Sequence, residues 1–493
     1  MVGALRAFVK RFVRRRRSAL IRVVVIVGLV CALPAIGYLA SWPGISPVLV
    51  LVAIVVPVGV LAVVRKVELG LVAMLLSGVF VRFRLPTGTA SEIVLSLLIC
   101  VGVLGLWIVH MLVVDKRLVL KPAPTNGPLL AFIVTVFVSL GWSRAYRDVF
   151  VHDIGSPFVA VASALVMALL PAMVFLVANL VQDVRWLRAM VWVYLAEGLV
   201  SLILTLDIGF GNAIRRAVFS NKFLWVNTQG LFAMWYVCFS LALALFNRRL
   251  HWAWRALLLV FAAGWIYWGF FRRITWLSGW VPTLVAAAVV SFLRSKKLFV
   301  LVLVVIIVGA GGYYLRTALE AETDESGHTR LAAYAVNWRI TGKHLLFGTG
   351  PAGYASYYMS YFPSEAMATH SNYIDLIAQT GVVGSFFVLW FFGAQLWGGY
   401  KLRLRLRDRG DFAESLTAAT LAGTVGCIVA MALGDWLFPF AYTQGIVGFD
   451  AAMFNWCFMG SLWALSNSLA PGSPARAARR MAGGLQAIEG ETA

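Results

Sequence analysis

The sequence predicts an all-α protein that crosses a membrane many times, and three observations lead to this fold class. Hydrophobic residues make up 61% of the chain and charged residues only 13%, whereas soluble domains carry about 25% charged residues. Mean hydropathy is +0.85, and the apolar residues fall in runs of about 20, the length of helix that crosses a bilayer. The alternating pattern of a membrane β-barrel is absent from the sequence.

Fourteen apolar runs are candidate membrane spans. They cover residues 19–41, 46–64, 67–82, 91–114, 128–145, 156–181, 186–206, 224–246, 252–271, 274–293, 298–315, 371–399, 413–436 and 444–467. They define one transmembrane domain, 19–467, between a basic N-terminal segment, 1–18, and a tail, 468–493, that is expected to be flexible. A signal peptide cleaved near Ala40 is the alternative for the first run, but that run is long enough to span.

The distribution of positive charge predicts the orientation of the chain. Net charge is +21, and most lysines and arginines fall in alternate connections if the N-terminus is cytoplasmic, as the positive-inside rule requires. Both termini are therefore predicted to be cytoplasmic. The same charge favours contact with anionic membrane lipids, and no basic domain with interspersed aromatic residues indicates a nucleic-acid partner.

The five cysteines all lie inside hydrophobic runs. They are interpreted as packing residues, without a disulfide framework or a zinc site.

Arg272 and Arg273 interrupt an apolar stretch that runs from Trp252 to Leu293. Two guanidinium groups at a membrane boundary are costly unless they are paired or hydrated. They either reach toward phospholipid head groups or form a clamp for phosphate, because a guanidinium group donates two hydrogen bonds to phosphate oxygens. The phosphate clamp is the favoured interpretation.

Two further pairs of external arginines have different surroundings. Arg215 and Arg216 have little acidic charge nearby, so they are candidates for binding an anion. Arg144 and Arg147 lie close in sequence to Asp148 and Asp153, so they are predicted to form local ion pairs.

A long polar loop, 316–370, separates two of the predicted spans. Long ordered loops are usually functional, so this loop is the first candidate for an active site. It contains six basic or titratable residues of interest: His328, Arg330, Arg339, Lys343, His344 and His370.

Three segments of the loop have distinct predicted structures. Residues 329–343 suit an interfacial helix, and a glycine-rich turn at 347–353 would let the backbone approach a ligand closely. The aromatic run 354–362 is either a lipid anchor at the membrane interface or a platform for sugars. The candidate sugar-binding residues are Tyr354, Tyr357, Tyr358 and, beyond the loop, Asn372.

His370 lies where the loop returns to the membrane. A lone histidine is usually structural, but the polar neighbours Ser371, Asn372 and Asp375 and the cations of the same loop favour a role as a base.

These segments resemble the O-antigen ligase and polymerase superfamily over roughly residues 200–400. The motifs that carry the resemblance are Arg273-Ile-Thr-Trp276, Arg330 with Trp338, the run from His344 to Gly350 and the segment from His370 to Gly384. The chain departs from the family pattern at Arg272, where Ser is usual, at Leu345 for Pro, at Ser371 between the usual adjacent His and Asn, and at Gln379 for Glu.

The resemblance implies a GT-C glycosyltransferase at the periplasmic face of a bacterial inner membrane. Its donor would be a glycan on undecaprenyl pyrophosphate, and it would need neither a nucleotide sugar nor a metal or other cofactor. A polymerase passes the glycan to another lipid-linked repeat unit, and a ligase passes it to a lipid A–core sugar. Fourteen spans exceed the twelve usual for the ligases, which favours a polymerase.

The residues suit this chemistry, because cations that bind a departing pyrophosphate lower the barrier. Arg273 and Arg330 are the predicted catalytic clamp, and His370 is the predicted base for the acceptor hydroxyl. The auxiliary pyrophosphate-binding residues are Arg215, Arg216, Arg272, Arg339 and Lys343. A flippase or transporter is the rival class, but its charges would lie within the spans, whereas these cluster at one face.

Overall fold

The computed structural model describes residues 59, 63, 65–86, 92–153, 158–205, 209–219, 224–273, 276–309, 328–364 and 368–470. The chain divides into two units, 1–69 and 70–493, and nearly all described residues belong to the second. The predicted span 19–41, the segment 1–18 and nearly all of 46–64 lie outside the described residues, as does the tail beyond residue 470.

The structure is 77% helical with nearly no sheet in its described part, which confirms the all-α fold class. One two-stranded antiparallel sheet joins β1, Arg84–Pro86, to β2, Glu92–Val94. The helices before the long loop are α1, Glu68–Phe80; α2, Leu95–His110; α3, Asn126–Ala145; α4, Phe158–Leu180; α5, Val184–Thr205; α6, Gly209–Val218; α7, Phe232–Phe246; α8, Trp252–Tyr267; α9, Leu277–Arg294; and α10, Lys296–Gly309.

The described part of the long loop contains two helices, and three more described helices follow the loop. These are α11, His328–Thr341; α12, Gly353–Tyr361; α13, Asn372–Leu406; α14, Phe412–Leu433; and α15, Phe449–Leu469. Helices α2 and α8 each end in a π-helical turn, Met111–Asp115 and Trp268–Arg272. The interfacial helix predicted at 329–343 therefore corresponds to α11.

Each predicted span from 67–82 onward corresponds to a helix. Within the described residues, eight helical segments are long and apolar enough to cross a membrane, namely Leu95–Asp115, Asn126–Ala145, Phe158–Leu180, Val184–Thr205, Trp252–Arg272, Leu277–Arg294, Asn372–Leu406 and Phe412–Leu433. Helices α1 and α7 are apolar but shorter. The protein is therefore a multi-pass membrane protein, and the number fourteen stays a prediction.

Helices α4, α7, α14 and α15 form the centre of the bundle. α15 packs along α4, and α14 packs against α7, α9 and α13. Gly423 of α14 lies against the ring of Trp235 on α7, since small residues let membrane helices approach closely. The Trp235 indole N–H donates to Asn455 Oδ1 of α15 at 2.8 Å, so a buried polar contact also links these helices.

The peripheral helices present apolar side chains outward. Val113 after α2 is 59% exposed and Val308 on α10 is 75% exposed. Lipid tails are as apolar as these side chains, so this surface suits a bilayer.

Helix α13 is broken at Gly381, which has φ 68° and ψ −170°. A residue with a Cβ would be strained at this φ, and its Cβ would also meet the carbonyl of Leu346. The break frees carbonyl groups for other partners. Ala378 O accepts from the Thr349 N–H at 2.8 Å and Gln379 O from the Gly350 N–H at 3.1 Å, so the long loop is anchored to the start of α13.

Candidate active site

A cavity of about 290 Å³ lies where the long loop meets the helix bundle. Its wall combines the start of α9, helix α11, His370 just before α13, the end of α14 and the segment after it. The lining residues are Trp276, Leu277, Ser278, Arg330, His370, Leu433, Gly434, Asp435, Trp436, Thr443 and Gln444. Two of the three predicted catalytic residues, Arg330 and His370, therefore share one cavity.

His370 presents its ring to this cavity from a left-handed backbone conformation, with φ 49°. Such conformations are uncommon for residues other than glycine, and they cluster at functional sites. Its side chain is 46% exposed, whereas that of Asp435, whose Oδ2 lies 3.5 Å from His370 Nδ1, is 1% exposed. The buried carboxylate of Asp435 thus lies next to Nδ1 of the His370 imidazole.

A second carboxyl group, that of Asp375, lies beside Asp435. Thr369 and Tyr442 are its other close polar neighbours, yet neither of its buried oxygens has a hydrogen-bond partner of good geometry among the described residues. Burial, reinforced by the charges of Asp375 and Asp435, raises the pKa of Tyr442 well above its usual value. The wall behind His370 therefore contains two adjacent buried carboxyl groups.

Arg330 provides the cationic side of the cavity. It lies on α11, one turn before Tyr334. Burial raises the pKa of Tyr334, the positive charge of Arg330 opposes that shift, and Asp375 and Asp435 add to it. Tyr334 is therefore within electrostatic reach of the arginine and of both carboxyl groups. Arg330 and Asp435 thus line the same cavity, with Asp375 buried behind Asp435.

The backbone that carries Asp435 is fixed by side-chain amides and an indole. The Asn372 Nδ2 group donates to Phe438 O at 2.9 Å, and its Oδ1 accepts from the N–H groups of Leu437 and Phe438 at 3.0 and 3.2 Å. Asn455 and Trp456 of α15 donate to Trp436 O and Leu437 O. Asn372, a predicted sugar-binding residue, is fully buried and uses its amide to hold this segment.

Arg273, the third predicted catalytic residue, does not line the cavity. Its guanidinium carbon lies 5.3 Å from the centre of the Trp268 ring, a cation–π contact. The Trp268 ring is 6.2 Å from that of Trp276, and Trp276 is 6.0 Å from Trp436. Arg273 is thus connected to the cavity through a chain of tryptophan rings, and its neighbour Arg272 ends the π-helical turn on the exposed surface.

The other predicted pyrophosphate-binding residues lie outside the cavity wall. Arg215 and Arg216 are exposed on α6. Arg339 is nine residues after Arg330, about two and a half turns, so the two residues lie on opposite faces of the same helix. The Arg339 guanidinium carbon lies 5.9 Å from the centre of the Phe362 ring. Lys343 is exposed beyond the end of α11.

The glycine-rich turn approaches protein backbone, which differs from the predicted approach to a ligand. A Cβ on Gly348 would meet the backbone of Ala378 and Gln379, and the Gln379 side-chain oxygen accepts from the Ala352 N–H at 2.9 Å. The turn therefore packs into the break in α13. Gln379, which stands where the resembled family usually has Glu, is part of this anchor.

The three candidate sugar-binding tyrosines are buried in a common apolar cluster. Tyr354, Tyr357 and Tyr358 pack with Val336 and Ile340 of α11. The Tyr357 hydroxyl accepts from the Asp148 N–H at 3.2 Å. The aromatic run is thus mainly a core that holds α12 against α11.

Tyr357 also borders a second cavity, of about 250 Å³. Its wall includes Arg144 and Arg147, both 2.8 Å from Asp153 Oδ2, which confirms the predicted local ion pairs. Tyr442 also lines this cavity, and the next two residues line the first one. The segment 441–444 therefore forms a wall between the two cavities.

Sequence reasoning missed Asp435 as part of the site. This residue lies at the end of a predicted span, 413–436, and nothing local distinguishes it from a helix end. The available signal was its acidity, because a carboxylate next to a membrane span is costly unless it has a function or a partner.

Comparison with known families identifies part of the chain. Residues 233–389 match the family described as O-antigen ligase, which confirms the resemblance to the O-antigen ligase and polymerase superfamily. The matched segment includes Arg273, Arg330 and His370, and Asp435 lies beyond it. A search of curated proteins found no match to the chain.

Proposed function

We propose, from the O-antigen ligase family match, that this protein is a membrane glycosyltransferase using a glycan on undecaprenyl pyrophosphate as donor. Transfer takes place at the periplasmic face of a bacterial inner membrane, and it needs neither a nucleotide sugar nor a metal. The observation that carries the proposal is the shared cavity of Arg330 and His370, with the Asp435 carboxylate behind His370.

The acceptor hydroxyl oxygen forms a bond to the anomeric carbon of the donor sugar while the bond from that carbon to the phosphate oxygen breaks. The bonding electrons leave with the pyrophosphate, and the hydroxyl proton passes to His370. General-base help of this kind contributes ~10²–10⁴-fold to rate. The contact of Asp435 with Nδ1 leaves Nε2 for the acceptor and stabilises the protonated ring.

Arg330 stabilises the negative charge that develops on the pyrophosphate. Charge stabilisation accelerates a reaction only when it is stronger in the transition state than in the bound donor. Arg273 joins the clamp when its side chain moves off the Trp268 ring. That ring lies next to Trp276, which lines the cavity. The remaining predicted cations, Arg215, Arg216, Arg272, Arg339 and Lys343, act as a wider field that attracts the anionic donor.

The second cavity holds the acceptor sugar in this proposal. It adjoins the first along the segment 441–444 and combines a tyrosine, Tyr357, with the Arg144 and Arg147 pair. Aromatic and hydrogen-bonding side chains together suit a sugar, which has both apolar and polar faces. This position gives Tyr357 a role that its buried neighbours Tyr354 and Tyr358 do not share.

We infer that the acceptor is a second lipid-linked repeat unit, so that the protein is a polymerase. The high number of predicted spans supports this choice. The ligase alternative, with a lipid A–core acceptor, is favoured by the description of the matched family.

The test is an assay of the purified full chain in detergent with lipid-linked donor and each acceptor separately. Chain growth on the repeat unit supports the polymerase, and a single transfer to lipid A–core supports the ligase. A transporter would make neither product in detergent, where there is no sealed compartment.

Two histidine variants test the site itself. His370→Ala is expected to lose product by about 10²-fold or more while still binding donor. His110→Ala is the matched control, because His110 is exposed at the end of α2 and contacts only Asp115 among the described residues. Loss of donor binding in His370→Ala would assign the residue to pyrophosphate recognition, and equal loss of product in both variants would refute the proposed base.

A further inference from the structure

A third cavity, of about 410 Å³, lies at the opposite end of the helix bundle from the candidate active site. Phe412 and Ala413, at the start of α14, line it, whereas Leu433, at the end of the same helix, lines the active-site cavity. A helix of 22 residues is about 33 Å long, close to the thickness of a bilayer. The two cavities therefore belong to opposite membrane surfaces.

Three arginines from separate parts of the chain converge on this third cavity. Arg188 comes from the start of α5, Arg249 from the turn after α7 and Arg409 from the turn before α14. Charges that merely follow the positive-inside rule need only lie on an open surface. Convergence on one concave volume is typical of an anion site.

Among the described residues, Asp411 is the only carboxylate that lines the cavity. Both of its oxygens already accept hydrogen bonds. Its Oδ2 accepts from Arg409 Nη2 at 2.9 Å, and its Oδ1 caps α14 by accepting from the N–H groups of Ala413 and Glu414. Arg188 stacks over Phe412 at 5.5 Å. Neither Arg188 nor Arg249 forms a salt bridge with a carboxylate in the described part of the chain. Both cations are therefore available to an anion in the cavity.

Apart from Asn247, the remaining residues of the wall are apolar, which points to an amphiphilic ligand. Val184, Leu250 and Leu469 border the cavity beside the arginines. Trp192 also lines it, and its ring lies 5.9 Å from that of Trp254, a pairing suited to the head-group level of a membrane. A free phosphate ion would make no use of these surfaces.

We propose that this cavity binds the phosphate head group of an anionic membrane lipid. Arg188 and Arg249 donate to the phosphate oxygens, because guanidinium groups match that geometry, and basic pockets between membrane helices on the cytoplasmic side bind such head groups. The proposal is independent of the glycosyltransferase activity.

The test measures lipid binding to the purified, delipidated full chain by native mass spectrometry and by the shift in thermal unfolding temperature. The probes are dioleoyl phosphatidylglycerol, dioleoyl glycerol with the same tails but no phosphate, and inorganic phosphate. Phosphatidylglycerol is expected to bind and raise Tm, since a ligand that binds only the folded state stabilises it. The other two probes are expected to do neither at the same concentration.

The variants are Arg188→Gln with Arg249→Gln, and Arg185→Gln as control. Arg185 lies on the same helix as Arg188, its side chain is 80% exposed and it does not line the cavity. The double variant is expected to lose at least about tenfold in affinity for phosphatidylglycerol, given the strength of charged hydrogen bonds. Arg185→Gln should keep it.

The single variant Arg249→Gln is the one expected to leave the fold intact. The hydrogen bond from Arg249 to Gly410 uses only the backbone N–H, which the substitution keeps. Weaker lipid binding with an unchanged lipid-free Tm supports the site. Unchanged affinity in every variant, equal loss in the control, or equal binding of dioleoyl glycerol or inorganic phosphate would overturn it.

Discussion

The pairing of His370 with Asp435 determines what each residue of the site does. Asp435 does not reach the cavity as an exposed group, since its side chain is 1% exposed. It acts through the imidazole, so it is a positioning residue. Its neighbour Asp375 adds a second buried carboxyl group without a well-formed hydrogen bond among the described residues. Buried polar groups without well-formed hydrogen bonds are costly, so this arrangement costs stability.

Asp435→Asn separates the positioning role from a structural one. Transfer is expected to fall by about tenfold or more, because part of the ~10²–10⁴-fold benefit of a general base depends on its orientation. The Tm is expected to stay or rise, because one of two adjacent buried carboxyl groups becomes neutral. Product formation, donor affinity and Tm are measured together. A lower Tm with a proportional loss of folded protein would make Asp435 a structural residue.

Arg273→Lys tests the predicted clamp. The lysine keeps the charge but loses the planar fork, so transfer is expected to fall about 10- to 100-fold, the equivalent of one charged hydrogen bond. Arg82→Lys is the matched control, since Arg82 also stacks on a tryptophan, Trp225, at 5.5 Å. Near-normal transfer by Arg273→Lys would remove Arg273 from the clamp.

At the level of elements, the sequence predicts the helices of the apolar runs and α11, but not the short helices α6 and α12 or the contacts between helices. Long apolar runs are a local property, so α11 and the later spans were found near their observed bounds. Whether the run 354–362 faced lipid, sugar or protein depended on α11, which packs against it through Val336 and Ile340. In the same way, the glycine turn had a backbone partner in α13 that no local pattern revealed.

The break in α13 and the glycine turn are one structural unit, and Gly381→Ala tests it. The new Cβ would meet Leu346 O at a positive φ, so we expect a loss of at least about 1–2 kcal/mol in unfolding free energy. Gly393→Ala on the same helix is the control, because among the described residues no atom outside its own stretch of helix backbone lies within 4 Å of the position that its new Cβ would take. It should be neutral or gain up to about 1 kcal/mol. If both variants change thermal unfolding equally, the break in α13 makes no specific contribution to stability.

On the scale of the whole molecule, two ends of one bundle carry different chemistry. The end with His370 has a mixed-charge cavity, and the end with Arg188 has a cationic one. Helices α13 and α14 run between the two ends in opposite directions, so Arg409, in the turn that joins them, lies at the far end from His370. The positive-inside rule predicted this polarity, but the concave grouping of the arginines needed the fold.

The orientation itself is testable with single cysteines at the two ends of α13. The background is Cys31→Ser, since the other four cysteines are buried and Cys31 lies outside the described residues. Ser364→Cys and Arg405→Cys are both at exposed positions. With a maleimide that cannot cross membranes, Ser364→Cys is expected to label in intact cells and Arg405→Cys only after permeabilisation.

The reverse labelling would put the His370 cavity on the cytoplasmic side. A periplasmic glycan transfer would then be excluded, because donor and acceptor would meet the wrong face of the protein. The arginine cavity would keep its chemistry in that case but would face the periplasmic leaflet. The labelling result therefore decides between the two orientations without depending on whether either ligand has been identified.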